Sequence, residues 1–264
     1  MKQLPPRRIA AQRQTWDWLG RHDPLWSILS NPAKRENRWS EAEFFATGDA
    51  DVEAVLAECN GAGAAFSRGR ALDFGCGVGR LTQALCKHFE EVVGVDVAPS
   101  MIELANRYNR HPERCSYLLN VEPGLAAIGS ASFDFVVSLL TLQHIPSQWA
   151  RRCVSELVRI LAPGGMLVFQ APHGEVCPKY WKRAKTSVRR AALAILPFRL
   201  GHRLQQLVTG QYAVIEMHAL ERAVAMAEIE RAGGRVLRII EDRCSGADWI
   251  SYRYFVTRGA APGA

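Results

Sequence analysis

Three observations predict an α/β fold built on a doubly wound parallel sheet of seven strands. Short apolar strands alternate with helical stretches along most of the chain, an order that sets a parallel sheet between two helical layers. With 264 residues and 48% hydrophobic content, the chain can bury the core of one elaborated domain. The third observation is local. An apolar strand at 70–74 breaks into Gly75, Gly77 and Gly79, and a second apolar run ends on Asp96. Glycines at such a break let bare backbone approach a ligand, because they accept positive φ and carry no Cβ.

The elements follow in order. Residues 1–69 form a helical segment with a helix expected around 49–60; Trp16, Trp18, Trp26, Trp39, Phe44 and Phe45 fall here without strand alternation, and so much aromatic surface needs something to pack on. The core over 70–172 holds strand 70–74, helix 80–89, strand 91–96, helix 100–109, strands 115–119 and 133–138, helix 147–161 and strand 165–171. An insertion occupies 173–217. Residues 218–258 return to the core with a helix at 219–233 and strands at 235–242 and 250–257, the last entered through the turn at Gly246-Ala247-Asp248.

Spacing restricts the ligand. A dinucleotide-binding turn places its third glycine three positions after the second, and that position is Arg80. Asp73 would set a carboxylate where a diphosphate would lie, which argues against a diphosphate and suits a ligand bearing an ammonium and a sulfonium. Asp96 ends its strand in position to accept both hydroxyls of a ribose, with charged hydrogen bonds worth roughly 1.5–3 kcal/mol each. Val97 and Ala98 follow it, so no arginine is there to receive a 2′-phosphate.

The string Asp73, Gly75, Gly77 and Gly79 resembles the first motif of class I S-adenosylmethionine-dependent methyltransferases. Further segments are similar to that family in the expected order: Glu91 to Asp96, Phe133 to Leu140, and the turn Pro163-Gly164-Gly165 leading into Met166 to Phe169. The resemblance implies a Rossmann-like sheet, mostly parallel with an antiparallel last strand, and S-adenosyl-L-methionine as cofactor. It implies Asp73, Gly75, Gly77 and Asp96 as cofactor-holding residues, and Asn120, at the end of the third strand, facing adenine. It also implies that residues 1–69 cover the cofactor, although these residues fit a helical extension packed on the sheet equally well. Asp134 opens its strand and reads as a turn cap rather than a site residue.

Methyl transfer from a sulfonium needs a base only when the acceptor is a weakly acidic hydroxyl or an activated carbon. Histidines near the carboxyl edge of the sheet are the candidates: His144 first, His218 second, with His173 behind them. Oxygen is favoured over nitrogen or carbon as the atom methylated. Base-amine methylation is opposed by Ser138-Leu139-Leu140-Thr141, which lacks the Asn/Asp-Pro-Pro-aromatic turn, and cytosine-carbon methylation by the lack of a Pro-Cys pair. A small-molecule acceptor is therefore expected, and no nucleic acid.

The net charge of +7 is concentrated in the insertion, where 177–214 holds eight Lys and Arg residues between 179 and 203 and no acid. Three readings stay open for this basic amphipathic stretch: a lid with solvated bases, a grip on an anionic or lipid-linked acceptor, or peripheral membrane contact. Seven cysteines without C-x-x-C spacing fit reduced thiols and neither a zinc site nor a disulfide framework. The first thirty residues lack an apolar signal region, and a cytoplasmic location is expected. The rival readings are an adenosyl-ligand binding module without chemistry, an RNA-modifying methyltransferase and a nicotinamide oxidoreductase. The oligomeric state is left open.

Overall fold

The computed structural model describes residues 6–121, 124–176 and 215–259. Seven strands form one sheet: β1 (Arg70–Phe74), β2 (Glu91–Asp96), β3 (Cys115–Leu119), β4 (Phe133–Ser138), β5 (Leu161–Glu175), β6 (Gly234–Asp242) and β7 (Trp249–Arg258). Their order across the sheet is β3-β2-β1-β4-β5-β7-β6. β7 runs antiparallel to both β5 and β6, and the remaining pairs are parallel, as the sequence predicts.

The helices are α1 (Pro6–His22), α2 (Pro24–Ile28), α3 (Glu41–Gly61), α4 (Arg80–Leu85), α5 (Pro99–Tyr108), α6 (Ser147–Ile160) and α7 (Arg222–Arg231). One face of the sheet packs Leu72, Val136, Leu167 and Tyr254 against Val154, Leu157 and Val158 of α6 and Ile229 of α7. The other packs Ala71, Val92, Phe135 and Val168 against Val52 and Val55 of α3 and Leu81 and Leu85 of α4. Period-two strands buried on both faces give these near-continuous apolar runs.

Several bounds differ from the sequence prediction, each for a visible reason. α3 starts at Glu41 rather than 49 because Ser40 caps it, its hydroxyl oxygen accepting the Glu43 N–H at 3.3 Å. The helix expected over 80–89 ends at Leu85, where the N–H groups of Lys87 and His88 turn to the carbonyls of Ala84 and Leu85. β5 is longer than the expected 165–171: Leu161 already pairs with Phe133, and the Pro163-Gly164-Gly165 turn forms an irregularity inside the strand. α7 is shorter than 219–233, since Gly233 has φ 83 and begins the turn into β6.

A third cluster lies beside these, in which Leu25 of α2 and Phe44 and Phe45 of α3 bury themselves against Val78, Ala98 and Met101. The stretch 177–214, with all the bases of the insertion, lies outside the described residues. Among the described residues no helix is long and apolar enough to cross a membrane.

Candidate active site

β1 is the point at which the sheet's order reverses, with β2 on one side and β4 on the other, and crevices open at the carboxyl edge of such points. The principal cavity among the described residues lies there. Its walls come from the glycine loop (Gly75, Gly77), the end of β2 (Asp96, Val97), the end of β3 (Asn120), the segment after β4 (Leu139 to Thr141 and His144 to Pro146), α6 (Trp149, Arg152, Cys153, Glu156) and α1–α2 (Gln12, Trp16, Ser27, Ile28).

The glycine loop is held down from both ends. The N–H groups of Gly75 and Cys76 donate to the Val95 carbonyl at 2.8 and 3.0 Å, and Gly77 N–H donates to Asp96 Oδ2 at 2.9 Å. Gly75 has φ 80, and a Cβ there would sit 2.2 Å from Thr141 Oγ1; Gly77 has φ 53, and a Cβ there would meet Ile28 Cδ1 at 2.6 Å. Both sites therefore exclude side chains on backbone and steric grounds. Arg80, where a dinucleotide site would have glycine, is buried and turned away from the cavity, donating to Asp51 at 2.6 Å and Thr47 at 3.1 Å on α3.

Of the predicted cofactor residues, Gly75, Gly77, Asp96 and Asn120 line the cavity together. Asp96 accepts from Gly77 N–H through Oδ2 and from Ala98 N–H through Oδ1, the latter also at 2.9 Å. Burial raises its pKa, and those two backbone donors work against the rise. The Asn120 side chain donates to the Gly124 carbonyl at 2.7 Å, and its N–H donates to the Asp96 carbonyl at 2.8 Å, which ties the ends of β2 and β3.

Asp73 is placed differently from the expectation. It is buried beneath the loop, outside the cavity lining, and its carboxylate accepts the Thr82 hydroxyl of α4 at 2.7 Å. Burial pushes its pKa up to about 6 although the Thr82 bond and the Arg80 cation pull the other way. It therefore ties the end of β1 to α4.

His144 lies on the cavity wall. Its Nδ1 is 3.0 Å from the Glu216 carbonyl, its Nε2 is 3.0 Å from Gln143 Nε2, and the Trp16 ring meets it edge-on at 5.1 Å. Burial drives its pKa down to about 4, so the imidazole is neutral at physiological pH. His218 is not brought to the cavity: Nε2 lies 3.5 Å from the Glu216 carboxylate, and its N–H donates to the Gln143 carbonyl at 2.7 Å. His173 Nδ1 accepts the Arg222 N–H at 3.0 Å, at the start of α7. Asp134 accepts the Arg70 N–H at 2.8 Å and joins the starts of β1 and β4, far from the carboxyl edge.

Sequence reasoning missed the roles of Gln12, Thr141, Trp149 and Arg152 on the cavity wall. Thr141 approaches Gly75 only in the folded sheet, and the α6 residues carry no local signal beyond helical spacing. Among the described residues no group of His, Cys, Asp and Glu could hold a metal ion.

The profile of the family described as "Methyltransferase domain" matches residues 72–169, which span β1, the glycine loop and most of β5. This segment is a methyltransferase domain. The chain is 32% identical over 149 residues to a ubiquinone biosynthesis O-methyltransferase of Xanthomonas axonopodis pv. citri, covering 53% of this chain and 59% of that one. A protein of the same description from Xanthomonas oryzae pv. oryzae is 30% identical with the same coverage. The chain thus spans about three-fifths of the length of these relatives, 59% in each. Among solved structures, the magnesium protoporphyrin IX methyltransferase of Synechocystis with bound SAH shares the fold at a TM-score of 0.59 and 17% identity, covering 97% of this chain and 100% of that one. The [4+2]-cyclase SpnF shares it at 0.60 and 14% identity, covering 95% and 97%. At such identities the likeness concerns the fold of the methyltransferase domain alone.

Proposed function

We propose that the chain is an enzyme that transfers a methyl group from S-adenosyl-L-methionine to an oxygen atom of a small molecule. The observation that carries this reading is the meeting of Asp96, Asn120 and the Cβ-free backbone of Gly75 and Gly77 in one largely apolar cavity. These groups fit an adenosyl ligand: a carboxylate for ribose hydroxyls, an amide at the end of β3 for a nucleobase, and bare backbone for close approach. When bound, S-adenosyl-L-methionine supplies an electrophilic methyl on a sulfonium. Asp73 supports this site indirectly, through Thr82 and the loop. Gln12, Trp16, Ser27 and Ile28 close the site from α1 and α2, and enclosure of this kind excludes water and restricts the reactants to aligned arrangements.

His144 is the proton acceptor in this reading, and His218, behind it, is not in reach of the cavity. A nitrogen of low basicity suffices. As the acceptor oxygen gains its methyl bond it takes on oxonium character, and its proton becomes far more acidic than an imidazolium with a pKa of about 4. Oxygen as the atom methylated is supported by the relatives described as O-methyltransferases. An anionic acceptor and membrane-surface contact rest only on the bases at 179–203 in the sequence.

Incubation with methyl-labelled S-adenosylmethionine and fractionated metabolite, lipid, RNA and protein extracts tests the proposal. Label in the metabolite or lipid fraction as an ether or ester supports it; label in RNA overturns it. Tight cofactor binding with no S-adenosylhomocysteine formed in any fraction would point instead to the rival adenosyl-ligand binding module.

A further inference from the structure

Behind the cavity, four buried polar side chains that do not line it form one hydrogen-bonded chain. Leu140 N–H donates to Gln170 Oε1 at 3.1 Å. Gln170 Nε2 donates to Ser245 Oγ at 2.6 Å and to Ser251 Oγ at 2.5 Å. The Ser245 hydroxyl donates to Gln143 Oε1 at 2.9 Å, and Gln143 Nε2 reaches His144 Nε2 at 3.0 Å. His144 Nδ1 in turn reaches the Glu216 carbonyl at 3.0 Å.

The direction of every bond is set by the two ends. A backbone N–H, here that of Leu140, only donates; a backbone carbonyl, here that of Glu216, only accepts. Gln170 must accept at its oxygen, so its amide nitrogen donates both hydrogens and Ser245 must send its own proton onward. Gln143 then accepts at oxygen and donates at nitrogen. Reversing any member would set two donors or two acceptors face to face in the interior, where unpaired polar groups are strongly disfavoured. The backbone at Leu140 is held at φ 60, a left-handed conformation that a leucine adopts only when its surroundings fix it.

We propose that Gln143, backed by Ser245 and Gln170, is the positioning residue of His144. With the Glu216 carbonyl on Nδ1, it fixes the imidazole as the Nδ1–H tautomer and keeps Nε2 unprotonated until an acceptor hydroxyl replaces the Gln143 amide. This rests on the reading of His144 as proton acceptor. In the exchange the acceptor's O–H bond breaks and its proton goes to Nε2, the electron pair stays on the oxygen that bonds to the methyl, and the methyl–sulfur bond of the donor would break with its pair left on a neutral thioether; the imidazolium later returns its proton to water. The titratable group acting on the ring is His218, which itself lies 3.5 Å from the Glu216 carboxylate. From α1 the ring faces uncharged Trp16 at 5.1 Å, and Gln12 donates to the His144 carbonyl.

The test is nitrogen-15 NMR of the full chain labelled at histidine, with His144→Phe for assignment. In the parent protein at neutral pH, His144 should show a protonated Nδ1 and a bare Nε2. Gln143→Met leaves the Glu216 carbonyl on Nδ1, so the tautomer should hold while the proton affinity rises at least tenfold. Gln143→Glu should move the proton to Nε2 and raise the affinity further, because a carboxylate can only accept. A protonated Nε2 in the parent protein, or an unchanged tautomer and titration in both Gln143 variants, overturns the proposal; the parent spectrum decides even if a variant fails to fold. If the spectra follow expectation while His144→Phe transfers label as fast as the parent protein, the fixed tautomer stands and the reading of His144 as proton acceptor fails.

Discussion

Asp17 on α1 caps α5 from 83 residues away: its Oδ1 accepts the Ser100 N–H at 2.9 Å, while the Ser100 hydroxyl donates to the Asp17 carbonyl at 2.8 Å. α5 has no side-chain cap of its own at Ala98. One turn on, Gly20 passes so close that a Cβ would lie 2.3 Å from Ser100 Oγ. α1 is thereby clamped just after Asp96 on one side of the cavity, and Gln12 and Trp16 bind it to His144 on the other.

Asp17→Ala should therefore lower stability by about 1 kcal/mol, the ordinary cost of a lost cap, and weaken S-adenosylhomocysteine binding through a loosened α1. Chemical denaturation and calorimetric titration measure the two effects. A loss of stability with unchanged affinity would show that α1 packs on the sheet without serving the cofactor.

Asp96→Ala should weaken cofactor binding at least roughly tenfold, on the order of 1.4 kcal/mol. Both carboxylate oxygens also accept loop N–H groups, so Asp96→Asn, which keeps one acceptor, should lose less. Equal affinity for the parent protein and the alanine variant would refute the ribose assignment.

The pH profile should reflect His144. With a pKa near 4 in the fold, the acid limb of kcat attributable to this residue should fall near pH 4 and not near the usual 6.5. The unfolded chain takes up the proton near 6.5, so stability should fall as pH drops from there toward 4, and His144→Phe should remove that part of the slope. The same variant should lower kcat about a hundredfold with S-adenosylhomocysteine affinity nearly unchanged.

Asp73 behaves oppositely. Its folded pKa of about 6 lies above the ordinary 3.8, so between these values the folded state holds the extra proton and stability declines as pH rises. Asp73→Asn keeps an acceptor for Thr82 without the buried charge. Relative to the parent protein, it should gain on the order of 3 kcal/mol in stability from pH 4 to pH 7. Parallel denaturation curves at the two pH values would contradict the buried anion.

The sheet and the glycine loop could be read from the chain because their signals are local: apolar runs of strand length, a break into glycines, an acid ending the next run. Asp96, Asn120, Gly75 and Gly77 reach the cavity because position at a strand's carboxyl end decides it. Asp73 does not, although it sits only two residues before Gly75, because it is still inside β1, buried beneath the loop, where Thr82 of α4 claims its carboxylate. His144 was placed correctly at the edge, but its partners Gln143, Ser245 and Gln170 come from three separate elements, and no spacing encodes which lone pair they occupy. His218 follows the insertion in sequence, yet its N–H bond to Gln143 holds it behind the wall.

The C-terminal hairpin of β6 and β7 brings Ser245 and Ser251 back beside Gln170, and through them it sets the protonation pattern of a ring on the far side of β5. The last strand of the chain, held between β5 and β6, therefore does more than extend the sheet. Whoever grafts a foreign C-terminus onto this domain to change its acceptor range will also be rewriting, at a distance, which nitrogen of one imidazole carries hydrogen.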